Sequence, residues 1–254
     1  MNAYLEKIIK EKKFTDAQGN VIELNWNVPV EEGLKLQELI TQYQVATSLE
    51  IGTAYGISSI FICEAISRQA GAHHITIDPF QESFFKNNGL YNIRQAGYGN
   101  LLEAYNDYSY FVLPDLLRKK TVVDFIFIDG YHTFDYAFVD FFFSDLLLKP
   151  GGLLVIDDTD WPAVKKVCEY IVTNRAYKLI YPSPRNIGSP SWKHHIVISL
   201  FSKAGRAHLL EERYRKFEEY RPVLELPLSA RFLAFRKLCD DHEFRKEETF
   251  HKNF

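Results

Sequence analysis

Six side chains able to carry charge or move a proton stand at the ends of short apolar runs: Glu50, Asp78, Asp129, His132 and the pair Asp157-Asp158. Carboxylates brought together repel one another unless they are protonated, hydrogen-bonded or bound to a cation. Oxygen donors of this kind favour a hard ion such as Mg²⁺ or Ca²⁺. A histidine near its ordinary pKa can take the proton of a hydroxyl. Two glycines, Gly52 and Gly56, follow Glu50 with GxxxG spacing, and such a turn lets backbone approach a ligand closely.

The elements that must position these residues can be read from the apolar pattern. VATSLEIG is a short strand ending at Gly52, and ISSIFICEAISRQAG has helical spacing closed by Gly71. HHITIDP, VVDFIFIDG and LLVIDD are further strands, ending at Asp78, Asp129 and Asp157. TFDYAFVDFFFSDLLLK is a helix stopped by Pro150-Gly151-Gly152, and a helix from Pro162 to Asn174 is expected to be N-capped by Asp160. Strands are expected around Tyr177–Tyr181 and His195–Phe201, and the third strand falls in the Tyr-rich stretch Tyr98–Tyr110. Strands apolar almost throughout, alternating with helices, imply an α/β fold. The expectation is a Rossmann-like, doubly wound, mostly parallel sheet of about seven strands with helices on both faces. Ligands in such sheets sit at the carboxyl ends of the strands, near the point where strand order reverses. That rule selects Gly52, Asp78, Asp129 and Asp157.

The first strand end separates ligand classes. A dinucleotide site would show GxGxxG, which argues against an NAD-dependent dehydrogenase. An acid two residues before a GxxxG pair suits a ligand with a cationic, zwitterionic end, which describes S-adenosylmethionine, its amino group held near Glu50 and Gly52. Asp78 either accepts both hydroxyls of a ribose or caps the turn before Pro79. Asp129, Asp157 and Asp158 either bind a divalent cation or divide into a cofactor contact, a helix cap and a solvated acid. His132 is either the base that deprotonates an acceptor hydroxyl or a loop histidine against the cofactor.

Composition excludes other classes. The 254 residues carry 30 Lys plus Arg against 33 Asp plus Glu, a net charge of -3, which is no footprint for nucleic acid. No apolar run reaches the ~18 residues of a membrane span, and the N-terminus does not read as a signal peptide. Three widely spaced cysteines fit a reducing, cytoplasmic setting. Residues 205–254 differ in texture, with 11 basic and 10 acidic residues. The expected division is an N-terminal helical cap over 1–44, a ligand-binding domain over 45–204 and a charged helical appendage over 205–254. Helical spacing at Phe232, Phe235 and Leu238 belongs to that appendage, which packs on the body or on a second copy as a homodimer. Pro182–Lys193, including Trp192, reads as an irregular loop and a candidate lid.

With these motifs in place, the chain resembles the class I S-adenosylmethionine-dependent methyltransferases. Within them it is most similar to the metal-dependent O-methyltransferases of the catechol type and of the macrocin and cephalosporin-biosynthesis type. SLEIGTAYGISS and IDGYH followed by PGGLLVIDD carry the resemblance, which covers about Val45 to Phe201. It implies that Glu50, Gly52, Thr53, Ala54, Tyr55, Gly56, Ser58 and Asp78, with Asp129 and His132, hold the cofactor. It implies Asp129, Asp157 and Asp158 as ligands of Mg²⁺ or another hard divalent cation, and a small-molecule hydroxyl as acceptor. The catechol type has Lys where this chain has His132, and Asp-Asn where it has Asp157-Asp158, as in the antibiotic-type members. The alternatives are a metal-independent small-molecule methyltransferase and a non-catalytic interaction protein on the same scaffold.

Overall fold

A computed structural model describes residues 1–25, 27–182, 226, 227 and 230–240. A helix α1 (Ala3–Glu11) opens the chain, its Asn2 side chain accepting from the Tyr4 and Leu5 N–H groups. A hairpin follows, β1 (Lys13–Thr15) and β2 (Val21–Glu23), turned where Asp16 Oδ1 accepts from Gln18 and Asn20 N–H. The flanking strands are only 3 residues each and interrupt the expected N-terminal helical cap. Helix α2 (Val30–Gln42) carries Glu31 and Glu32 in its first turn.

Strand and helix then alternate: β3 (Thr47–Ile51), α3 (Ile57–Ile66), β4 (His73–Ile77), α4 (Asn88–Gln95), β5 (Leu102–Tyr105), α5 (Ser109–Arg118), β6 (Val123–Ile128), α6 (Phe134–Leu147), β7 (Leu148–Ile156), α7 (Pro162–Asn174) and β8 (Tyr177–Tyr181). The last strand among the described residues, β9 (Leu233–Lys237), returns to the sheet. The sheet order is β5-β4-β3-β6-β7-β9-β8, with β9 antiparallel to both of its neighbours. The order reverses between β3 and β6, which places the expected ligand crevice above their carboxyl ends.

Both faces of the sheet are covered, as the unbroken apolar strands require. Ile51, Ile128, Leu154 and Ile156 pack on one side with residues of α5, α6 and α7. Phe125, Phe127, Leu153 and Val155 pack on the other with α1, α2 and α3. In α3, 8 of 10 residues are buried, because it lies between α2 and the sheet.

Two expectations change. Residues 233–237 form a strand, not a helix; Phe232, Phe235 and Leu238 have helix-like spacing, but β9 is buried on both faces, so its apolar residues do not alternate. Helix α7 begins after Trp161, which makes no side-chain cap; Asp160 is not its N-cap. The expected strand at 195–201, the lid segment 183–193 with Trp192, and most of the 205–254 appendage lie outside the described residues.

Candidate functional site

Four of the expected residues form one row across the sheet. Each donates its N–H to the last carbonyl of the neighbouring strand: Asp78 to Tyr105 at 3.0 Å, Gly52 to Ile77 at 2.9 Å, Asp129 to Ile51 at 2.8 Å and Asp157 to Ile128 at 3.0 Å. The ladder thus continues one residue beyond each strand and fixes the strand ends at a common level. Gly52 is held against the next strand so tightly that a Cβ there would stand 1.9 Å from the Asp129 carbonyl oxygen, and its φ is +94°. Only glycine fits this close approach.

The loop after β3 is held from beneath by Asp78. Its Oδ2 accepts from Thr53 N at 3.1 Å, Ala54 N at 2.8 Å and Gln81 Nε2 at 3.0 Å, and its Oδ1 accepts from Phe80 N at 2.8 Å. A carboxylate offers about four acceptor sites over its two oxygens, and Oδ1 accepts from only one protein donor. Oδ1 therefore keeps capacity for a ligand hydroxyl, and Asp78 faces the cleft. Gln81 Nε2 also donates to Ala54 O at 2.7 Å, and Asn92 Nδ2 to Tyr55 O at 3.0 Å. Neither Gln81 nor Asn92 was signalled by a motif. Thr53, Ala54 and Ser58 line the cleft with Gly52. Tyr55 does not; its ring packs edge-on against Phe14 and Phe85 and anchors the loop. Gly56 starts α3 with φ +77° and is likewise behind the cleft.

Glu50 is placed differently from the expected contact with the cofactor's amino group. It is fully buried and does not line the cleft. Its Oε2 accepts from Ser59 Oγ and lies 3.2 Å from His74 Nε2, while His74 Nδ1 is 2.9 Å from Ser48 Oγ. The strand register explains this: Glu50 pairs with Thr76 and Ser48 with His74, so these four side chains share the sheet face beneath α3. Polar residues alternating in two adjacent strands were the available signal. Glu50→Ala is expected to leave Ser59 and His74 without their partner in the core. The cost is about 3 kcal/mol, read as a fall in thermal midpoint of roughly 6–12 °C. An unchanged midpoint would refute this structural role.

Across the sheet, donor atoms of Asp129, His132 and Asp158 lie within 4.8 Å of one another. His132 Nε2 is 3.1 Å from Asp158 Oδ2. Asp158 has φ +51°, a conformation that L-residues seldom take, and this turns its carboxyl out of the strand direction toward His132. Asp157 directly follows β7, still bonded through its N–H to Ile128, and does not join this group. It is 2% exposed, both its carboxylate oxygens lack a hydrogen bond, and it faces Glu32 of α2 and Arg231 just before β9. Two of the three expected metal ligands are therefore brought together, with His132 beside them, and the third is not. Burial, then the charges of Asp157 and Asp158, push the Asp129 carboxyl well above the usual carboxylate range. Burial also raises Asp157, and the Glu32 and Asp158 carboxylates add to it. Acids held in this way favour a cation. The donors of Asp129, Asp158 and His132 fit a divalent ion, and the imidazole extends the choice from Mg²⁺ toward Mn²⁺ and its neighbours.

These groups face one cleft of about 670 Å³, a size suited to a nucleoside-sized ligand with a small acceptor beside it. Its walls include residues that no motif marked. Asn25, Asn27 and Val28 come from the segment before α2, and Arg231 from the chain before β9. Trp161, 52% exposed, has its ring 5.3 Å from His132. Tyr131 packs against Phe80 and Tyr136 on the opposite side. Asp140 is buried and accepts from Ser109 Oγ at 2.5 Å; burial pushes its carboxyl up to about 6.

Comparisons with known proteins find methyltransferases. The methyltransferase domain family matches residues 49–159, the span that holds the strand-end row. A putative caffeoyl-CoA O-methyltransferase of Arabidopsis thaliana is 28% identical over 158 residues, 61% of this chain and 64% of that relative, just under two thirds of its length. A flavonoid 3',5'-methyltransferase of Vitis vinifera is 24% identical over 79% of this chain and 72% of its own. In fold, the chain is similar to an O-methyltransferase of Bacillus cereus solved with S-adenosylhomocysteine, with TM-score 0.59, 19% identity and coverage of 71% and 83%. It is also similar to an O-methyltransferase of Streptomyces achromogenes involved in tomaymycin synthesis and solved with S-adenosylmethionine, with TM-score 0.57, 21% identity and coverage of 71% and 82%. Over residues 49–159 the chain is thus similar to the methyltransferase domain family, and its fold is that of the solved O-methyltransferases. Among the described residues, no helix is long and apolar enough to cross a membrane.

Proposed function

We propose that the chain transfers a methyl group from S-adenosylmethionine to the oxygen of a small-molecule hydroxyl. The observation that carries this reading is the convergence of the Gly52 cradle, the Asp78 clamp and the His132–Asp158 pair on one cleft. When bound, S-adenosylmethionine supplies an activated methyl group on a sulfonium centre and leaves as S-adenosylhomocysteine. The Gly52–Ala54 backbone and Asp78 hold the nucleoside end, and the ring of Tyr131 flanks it. Asp158 fixes the His132 imidazole, so that its other ring nitrogen can take the acceptor's hydroxyl proton as the oxygen–carbon bond forms and the sulfur–carbon bond breaks. Trp161 and Arg231 border the side from which the acceptor enters. Alignment of the two reactants is the main contribution asked of the protein, and it can be worth about 7–11 kcal/mol.

Asp129 and Asp158, with His132 at their edge, would hold a divalent cation, which would supply a lowered hydroxyl pKa and a fixed orientation for the acceptor. A metal-free variant of the same reaction is favoured by one observation: the Arg231 guanidinium already stands among the acids. A methyl-acceptor screen over catechols, phenols and sugars, with labelled S-adenosylmethionine, separates the two. The metal reading expects transfer that EDTA abolishes and Mg²⁺ or Mn²⁺ restores; transfer indifferent to EDTA would select the metal-free variant. With the acceptor so found, His132→Ala is expected to lower kcat by roughly 10²–10⁴-fold while cofactor affinity changes little. A kcat within threefold of wild type would remove His132 from the proton transfer.

A further inference from the structure

Arg231 reaches the acid cluster from the far end of the chain. Its Nε lies 3.5 Å from Glu32 Oε2, 3.7 Å from Asp157 Oδ1 and 3.6 Å from Asp158 Oδ1. These distances are too long for direct hydrogen bonds and nearly equal, so the guanidinium sits among three carboxylates as a shared charge. The acids keep acceptor capacity that it does not satisfy: Glu32 Oε2 and both oxygens of Asp157 are buried without a hydrogen bond. Asp157 is nine-tenths buried and more, so this is costly unless a cation is near.

Asp158 is divided between two partners. Its Oδ1 faces Arg231 and its Oδ2 faces His132, on the side where Asp129, His132 and Asp158 cluster. The backbone under Arg231 is fixed. Thr159 N donates to Arg231 O at 2.7 Å, and Thr159 Oγ1 donates to Ala230 O at 2.8 Å. The side chain is not fixed in the same way, being 43% exposed at the rim of the cleft. It can therefore leave the acids without disturbing β9.

We propose that Arg231, held against Asp157 and Glu32, is an internal counter-cation that competes with a divalent metal for the Asp158 carboxylate, so that the segment before β9 sets how tightly this cleft binds metal. The inference rests on the metal reading above. Without metal the guanidinium neutralises the acids; on metal arrival it turns outward from the rim, away from Asp158. Like charges a few ångströms apart in a water-poor cleft repel strongly, and the two cations cannot share Asp158 at full strength.

The test is Mn²⁺ binding to the full-length protein by calorimetry at fixed ionic strength, for wild type, Arg231→Gln and Arg231→Lys. Arg231→Met serves as a second neutral variant should the glutamine lose its fold. The expected result is at least tenfold tighter Mn²⁺ binding by the neutral variants, with Arg231→Lys within about threefold of wild type. Neutral variants that bind Mn²⁺ as wild type does, or more weakly, would overturn the competition while leaving the metal reading intact. Absence of Mn²⁺ binding in every form would overturn both.

Discussion

Gly52→Ala is expected to weaken S-adenosylmethionine binding by at least 100-fold and to lower the thermal midpoint. Two costs combine. An L-residue at φ +94° is strained by about 1–2 kcal/mol. The added methyl would also stand 1.9 Å from the Asp129 carbonyl oxygen, so the ends of β3 and β6 must part. That breaks the bond from Asp129 N to Ile51 O and moves the floor of the cleft. A hundredfold loss corresponds to about 2.7 kcal/mol, which this displacement should exceed. Gly97→Ala separates the two costs, because Gly97 has φ +91° with nothing within 4 Å of its added Cβ. It should lose stability by the strain alone and bind the cofactor as wild type does. Calorimetry with S-adenosylhomocysteine reads both variants. Near-normal binding by Gly52→Ala would mean that the cradle is not where the ligand sits.

Asp78→Asn is expected to be nearly as damaging as Asp78→Ala, although it is almost isosteric. The Asp78 carboxylate gathers four donors, three of them on Oδ2. An amide presents one oxygen and turns an NH₂ group toward donors on the other side, leaving at least one buried N–H opposed by another. Hydrogen bonds to a charged acceptor are worth about 1.5–3 kcal/mol each, so both variants should lose 2–4 kcal/mol of stability. Both should also bind the cofactor at least 50-fold more weakly, since the loop and the ligand share this group. Asn tolerated in binding, with Ala not, would point to a packing role instead.

The backbone of the site was legible because chain chemistry marks it: a parallel strand ends where an apolar run meets glycine or aspartate, and Gly52, Asp78, Asp129 and Asp157 all carry that mark. The direction of a side chain at a strand end was less legible. Glu50 stands inside β3, so the pleat turns it beneath α3, two residues before the loop could free it. Asp157 and Asp158 are neighbours in sequence, but the left-handed φ of Asp158 sends them to different partners. Glu32 could be read only as a favourable charge in the first turn of α2. Arg231 comes from a segment whose apolar spacing mimics a helix, and its contact with residues more than 70 positions earlier depends on β9 entering between β7 and β8. Trp161 and Gln81 carry no motif; their roles follow from where their helix and loop happen to approach the cleft.

Equilibrium titration of the purified full-length chain with S-adenosylmethionine tests the central claim most directly. The account predicts one-to-one binding with a Kd in the micromolar range, about -7 to -8 kcal/mol, displaced by S-adenosylhomocysteine and lost in Gly52→Ala and Asp78→Ala. No binding of either compound, or binding that both substitutions leave untouched, would contradict it.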